Sequence, residues 1–175
     1  MELRDEFTFE RAADGESWAV TVDPDGKQVS LGIPAGGDNL AIRAFATAFR
    51  DAGQNPPAVR VRIVNRIPVA RGLGSSAAAI VAGLMAADAF MGIAPDLQRL
   101  LNTAARIEGH PDNTAACILG GITASSFVGA RVLWARVPAH GSLRAVAAVP
   151  DFPVSTRAAR NVLPGNVPHS DAVFN

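Results

Sequence analysis

The 175 residues predict an α+β domain: a two-layer sheet with helices on one face. Three observations carry this. Helical and strand periods interleave without strict alternation, a glycine-rich turn leads directly into a long alanine-rich helix, and 49% of the residues are hydrophobic, enough to bury a sizeable core.

The elements follow in order. Phe7 to Phe9 and Trp18 to Val22 have strand composition, and Asp25-Gly26 reads as a hairpin turn before a further strand at Val29 to Leu31. Asp38 is positioned to cap a helix from Asn39 to Asp51, because Ile42, Phe45 and Phe49 recur at helical spacing and Gly53 follows as a stop. Val61 to Ile67 reads as a strand in which Arg60, Arg62 and Arg66 form one solvated face. Ser75 to Met91 reads as a helix ended by Gly92, with alanines and a glycine suited to close packing. Pro95 to Ile107 and Pro111 to Ile118 read as further helices. Ile122 to Phe127, Arg131 to Val137 and Arg144 to Val149 read as strands. No internal repeat interrupts this order.

Sixteen basic and sixteen acidic residues cancel, which disfavours nucleic acid and a charged membrane surface as partners. No run of about 18 apolar residues suggests a membrane span. The N-terminus lacks a signal-peptide pattern, and the solitary Cys117 fits a reducing cytoplasm, so the expected location is cytoplasmic.

The segment Pro68-Val69-Ala70-Arg71-Gly72-Leu73-Gly74-Ser75-Ser76-Ala77 has the composition of a phosphate cradle. Glycines let the main chain approach an anion closely, Ser75 and Ser76 supply hydroxyls and N-cap chemistry, and the helix N-terminus offers N–H groups and a positive dipole end. Gly72-x-Gly74-x-x-Ala77 also fits a dinucleotide fingerprint. The strand does not run directly into Gly72, however, and the nearest acid, Asp88, comes early. A Walker loop is excluded, since the chain's one lysine is Lys27. A helix start that binds nothing stays open on these residues alone.

A second cluster, Glu108-Gly109-His110-Pro111-Asp112-Asn113, gathers an acid, an imidazole, a carboxylate and an amide before Gly120-Gly121. It offers a cation ligand or charge partner and short polar ends able to orient a hydroxyl or amine. A polar turn at a helix start is the plain alternative.

The longer pattern Pro68-x-x-x-Gly72-Leu73-Gly74-Ser75-Ser76-Ala77-Ala78 resembles the nucleotide loop of the galactokinase, homoserine kinase, mevalonate kinase and phosphomevalonate kinase superfamily. The second cluster resembles the substrate region of homoserine kinases. Val149-Pro150-Asp151-Phe152 with Ser155-Thr156-x-x-x-Arg160-x-x-Leu163-Pro164 resembles that family's next motif. The resemblance implies the ribosomal-protein-domain-like N-terminal nucleotide-binding domain of the superfamily over residues 1–150, with 151–175 starting a truncated C-terminal substrate domain. It implies ATP and Mg²⁺ as cofactors, and L-homoserine as acceptor. Pro68, Arg71, Gly72, Leu73, Gly74, Ser75, Ser76 and Ala77 are then expected to bind ATP, with Asn39 and Leu40 flanking adenine. Ser76 and Glu108 are the expected metal contacts, Asn102 occupying the alternative spacing without the charge. His110, Asp112, Asn113 and Arg160 would bind homoserine, and Arg160, Thr156 and Asn113 would serve catalysis. No strong base is implied, because the acceptor hydroxyl can pass its proton to the phosphoryl group. Nothing in Met1 to Arg11 matches the family's N-terminal motif. The match is therefore expected to cover the middle of a family protein, whether as a fragment, a truncated gene model or a chain whose missing parts are supplied otherwise. A homodimer stays open, as do a non-catalytic nucleotide-binding fragment, a mevalonate or sugar kinase and an NAD-dependent oxidoreductase.

Overall fold

The structure is a computed structural model, and it describes residues 3–13, 16–24, 33–149, 162 and 164–174. The elements are β1 (Glu6–Arg11), β2 (Ala19–Pro24), α1 (Leu40–Asp51), β3 (Val59–Asn65), α2 (Ser75–Met91), α3 (Leu97–Glu108), α4 (Asp112–Leu119), β4 (Ile122–Val128), β5 (Arg131–Val137) and α5 (His169–Phe174). The expected hairpin turn at Asp25-Gly26 and the strand Val29 to Leu31 lie outside the described residues.

Strand β3 is the centre of a three-stranded sheet of order β1-β3-β2, antiparallel to β1 and parallel to β2. Register places Phe7, Ile63 and Val22 in one row and Phe9, Val61 and Val20 in the next, so period-two alternation gathers the apolar side chains onto one face. Helices α1 and α2 cover that face. Phe45 lies at its middle, stacked on Phe9 at 5.7 Å between centroids and edge-on to Phe90 at 5.3 Å. On the opposite face Arg62 meets Asp23 at 2.5 Å, and Arg60 reaches Glu16 at 3.4 Å and Glu10 at 3.9 Å. This is the solvated arginine face that alternation predicts, and such exposed pairs contribute little stability.

A smaller core of Leu101, Ala105, Ala115 and Val132 joins α3 and α4 to the antiparallel hairpin of β4 and β5. Asn102 serves this junction: its Oδ1 accepts the Val132 N–H at 2.8 Å and the Gln98 amide at 2.9 Å. Asp88, buried on α2, is bound by Arg99 of α3 at 2.5 Å.

Three local expectations are corrected. Arg144 to Val149 is not a strand: it pairs with no described backbone and is exposed throughout, Val146 almost completely. Alternation supplies a strand's surface pattern, but a strand needs a neighbouring ladder. The cap of α1 is Asn39 and not Asp38. Its Oδ1 accepts the Ala41 N–H at 2.9 Å, and its Nδ2 donates to the Pro34 carbonyl at 3.0 Å. Being buried, Asn39 satisfies a helix end and a loop carbonyl that no solvent would replace. Asn39→Ala should therefore cost about 1–2 kcal/mol, measured by urea unfolding, towards the upper end of what losing an N-cap costs.

The third correction concerns α2. Its N-cap is Gly74, held at φ 80° in the left-handed region, and no side chain caps this end. Ser75 and Ser76 lie inside the first turn. An added side chain at Gly74 would be strained by that backbone angle, which accounts for glycine at this point.

Candidate active site

A cavity of about 310 Å³ opens where the sheet, the start of α1, the loop before α2 and the end of α3 converge. The loop from Pro68 to Gly74 forms one wall, Asn39 and Leu40 another, and Glu108, His110 and Asn113 close the far side. Pro68 to Ser76, the pair expected near adenine, and Glu108, His110 and Asn113 of the second cluster thus face one space, although they are separated by up to 74 positions between Asn39 and Asn113.

The loop is shaped by backbone angles. Ala70, Gly72 and Gly74 all have positive φ, at 57°, 72° and 80°. These residues line the cavity, and the uncapped first turn of α2 adds the partial positive charge of a helix N-terminus. Arg71 lines the same wall and directs its guanidinium to the Val69 and Ala70 carbonyls at 3.4 Å each.

Ser76 on α2 and Glu108, the last residue of α3, meet across the cavity wall. The Ser76 hydroxyl donates to Glu108 Oε1 at 2.6 Å. A hydroxyl and a carboxylate at this separation are hard oxygen donors suited to a cation that keeps most of its waters. Among the described residues no group of three or more His, Cys, Asp or Glu side chains forms a dedicated metal cage. The pair therefore fits Mg²⁺ shared with a ligand's phosphates, and does not fit a closed structural metal centre. Asn102 is engaged with β5, which leaves Glu108, of the two spacings, as the side chain at the cavity.

His110 and Asn113 line the cavity, whereas Asp112 lies outside its wall and is largely exposed. Asp112 Oδ1 holds the His110 Nδ1 and accepts the Asn113 N–H at 2.9 Å. Partial burial of the Asp112 carboxyl works to raise its pKa. The Asn113 N–H together with the hydrogen bond and charge of His110 outweigh that burial and hold it below the usual aspartate range. A carboxylate stabilised in this way contributes fully above its unfolded-state pKa, and the contribution is lost as pH falls through the depressed folded value. Carbon NMR of the Asp112 carboxyl should show a titration midpoint below that of an unstructured aspartate, moving back upward in His110→Ala.

Ala77 is also outside the wall: it is fully buried beneath the loop, where it packs the helix start. Thr156 and Arg160 lie outside the described residues. Cys117 is exposed on α4. Asp88, the acid that a dinucleotide site would need, is bound to Arg99 and does not line the cavity. Asp5 is a cavity residue that sequence reasoning missed: it holds the main chain just before Pro68, and no motif marks it.

Residues 39–121 match the family described as GHMP kinases N terminal domain. That segment is therefore similar to the N-terminal domain of GHMP kinases. Over its length the chain is similar to homoserine kinases. That of Moorella thermoacetica is 40% identical over 175 residues, covering 100% of this chain and 57% of that protein. That of Gloeobacter violaceus is 44% identical over 137 residues, covering 78% of this chain and 46% of that protein. The crystal structure of homoserine kinase from Cytophaga hutchinsonii superimposes with a TM-score of 0.69 at 25% identity, over 97% of this chain and 54% of that one. The Methanococcus jannaschii mevalonate kinase shares the fold, with a TM-score of 0.54 at 14% identity. The chain spans about half the length of the relatives it matches.

Proposed function

We propose that this chain is the nucleotide-binding portion of a homoserine kinase, which transfers the γ-phosphoryl of ATP to the hydroxyl of L-homoserine and yields O-phospho-L-homoserine and ADP. The observation that carries this reading is the hydrogen bond between Ser76 and Glu108 at the rim of a cavity walled by the Pro68 to Gly74 loop. Phosphoryl transfer requires positioning and charge neutralisation more than covalent help from the protein. The loop and the first turn of α2 supply main-chain N–H groups to the phosphates, and Asn39 and Leu40 lie where a base would rest. Ser76 and Glu108 would hold Mg²⁺, which when bound neutralises charge on the phosphates.

On this reading His110 and Asn113 orient the amino-acid acceptor, and Asp112 acts by fixing His110. The arrangement needs no strong base, since the acceptor hydroxyl can give its proton to the transferred group. Arg160 and Thr156 are proposed for the acceptor carboxylate and the transferring phosphoryl on the strength of their motif, the planar guanidinium suiting either anion. Residues 1–150 form the nucleotide-binding unit in this proposal, with 151–175 starting a substrate domain. A cytoplasmic location accords with the described residues, of which no helix is long and apolar enough to cross a membrane.

The test offers homoserine, mevalonate and galactose in turn to the chain with ATP and Mg²⁺. Homoserine-dependent ADP release, absent with the other two, is expected. Release with mevalonate or galactose would reassign the acceptor, and ATP binding without turnover would make this chain a nucleotide-binding module only. Tighter binding of NADH than of ATP would overturn the kinase reading.

A further inference from the structure

The exit of β3 is locked by a side chain that precedes the neighbouring antiparallel strand, where Glu6 of β1 pairs with Val64. Asp5 Oδ1 accepts the main-chain N–H of Arg66 at 2.7 Å and of Ile67 at 2.8 Å, and the Asn65 amide reaches both carboxylate oxygens at 3.1 Å. The same Asn65 amide donates to the Ile67 carbonyl at 3.0 Å. This capture accounts for β3 ending at Asn65 although the apolar pattern runs to Ile67: the next two N–H groups point at a carboxylate and are lost to the sheet ladder. Asp5 also lines the cavity, next to Pro68 and Val69.

We propose that Asp5 is a positioning residue for the phosphate loop, anchoring its upstream end as the α2 helix anchors its downstream end. The inference rests on the nucleotide reading above and adds a residue to it. Between the two anchors the chain passes through Ala70 at φ 57°, a left-handed angle that a residue with a Cβ adopts at a cost and keeps only where its surroundings impose it. Release of the Arg66 and Ile67 amides would let Ala70 relax to negative φ and turn the loop away from the cavity. A carboxylate beside a triphosphate would ordinarily repel it. Here both oxygens face donors, three at Oδ1 and one at Oδ2, so the charge is offset within the protein.

Calorimetric titration of ATP and of adenosine, with amide hydrogen exchange at Arg66 and Ile67, tests this in Asp5→Ala, Asp5→Asn and a destabilised control, Val61→Ala. Asp5→Ala should weaken ATP by about tenfold, the scale of a lost hydrogen bond to a charged group, leave adenosine unchanged and speed exchange at both amides. Asp5→Asn, which keeps one acceptor oxygen, should fall between. Val61→Ala should lower the Tm without altering the ratio of ATP to adenosine affinity. Wild-type discrimination that persists in Asp5→Ala would overturn the positioning role alone. A wild-type chain that binds ATP no more tightly than adenosine would overturn the nucleotide reading, and this inference with it.

Discussion

Gly83→Ala should destabilise the chain by about 3 kcal/mol and lower its Tm by roughly 6–12 °C, even though the substitution raises helix propensity by about 1 kcal/mol. The reason is where α1 crosses α2. A Cβ at Gly83 would stand 2.1 Å from the Ala41 carbonyl oxygen and 3.0 Å from the Ala44 Cβ. The first obstacle is backbone, so no rotamer change relieves it, and α1 would have to move away. Both helices contribute to the cavity, α1 through Asn39 and Leu40 at its start and α2 through Ser75 and Ser76. Displacement of one against the other should therefore also weaken nucleotide binding. Thermal and urea unfolding measure the first effect, with the exposed Met85→Ala in the same helix as a control expected within about 0.5 kcal/mol of wild type. A Tm unchanged in Gly83→Ala would show that the helices are not in this close contact.

The second large effect is expected at the Ser76 and Glu108 pair. Glu108→Gln keeps the size of the side chain and its capacity to accept from Ser76, but removes the charge. Turnover with homoserine should fall by roughly 10²–10³-fold, the scale seen when one preorganised charge-stabilising group is lost. The dependence of ATP affinity on Mg²⁺ should flatten, while adenosine binding stays unchanged. Ser76→Ala should lower the same quantities. Because the two side chains are hydrogen-bonded, the double variant should lose less than the sum of the single losses. Additive losses would mean that the groups act at separate places, and unchanged Mg²⁺ dependence in Glu108→Gln would remove this carboxylate from the metal.

Much of the α+β architecture was legible because local signals agreed with tertiary packing. The α2 boundaries coincide with the expected Ser75 to Met91, since Gly92 in a left-handed conformation stops the helix and the loop glycines start it. Phe7 and Phe9, in the strand expected there, lie half-buried against the main core. Legibility failed where a residue's partner is distant in sequence. Asp5 holds Ile67 from 62 positions away, and nothing in its immediate neighbours signals a contact that only β1 to β3 pairing creates. The swap of Asp38 for Asn39 has a similar cause: either residue type can cap a helix, and the choice follows from the Pro34 carbonyl that Asn39 also binds. Arg144 to Val149 shows the converse, a strand pattern without a partner.

The candidate site divides along the same line. That the loop and the Glu108 to Asn113 segment belong together came from the order of motifs resembling one family, not from spacing. Their meeting in one cavity needed α3 to run back along α2, which the Asp88 to Arg99 ion pair and the Ala104 contact with the main core secure. The structural difference between His110 and Asp112, neighbours in one motif, is one of place: His110 lines the cavity, and Asp112 holds it from outside the wall.

The most direct test of the whole account is a nitrogen–proton NMR titration of the chain with ATP and Mg²⁺, set beside one with adenosine. ATP should produce its largest amide shifts at Gly72, Gly74, Ser75 and Ser76, with adenosine perturbing Asn39 and Leu40 and leaving those four residues unmoved. If ATP leaves the four loop and helix amides where they are, or if adenosine shifts them equally, the start of α2 does not hold phosphate and the kinase reading is contradicted.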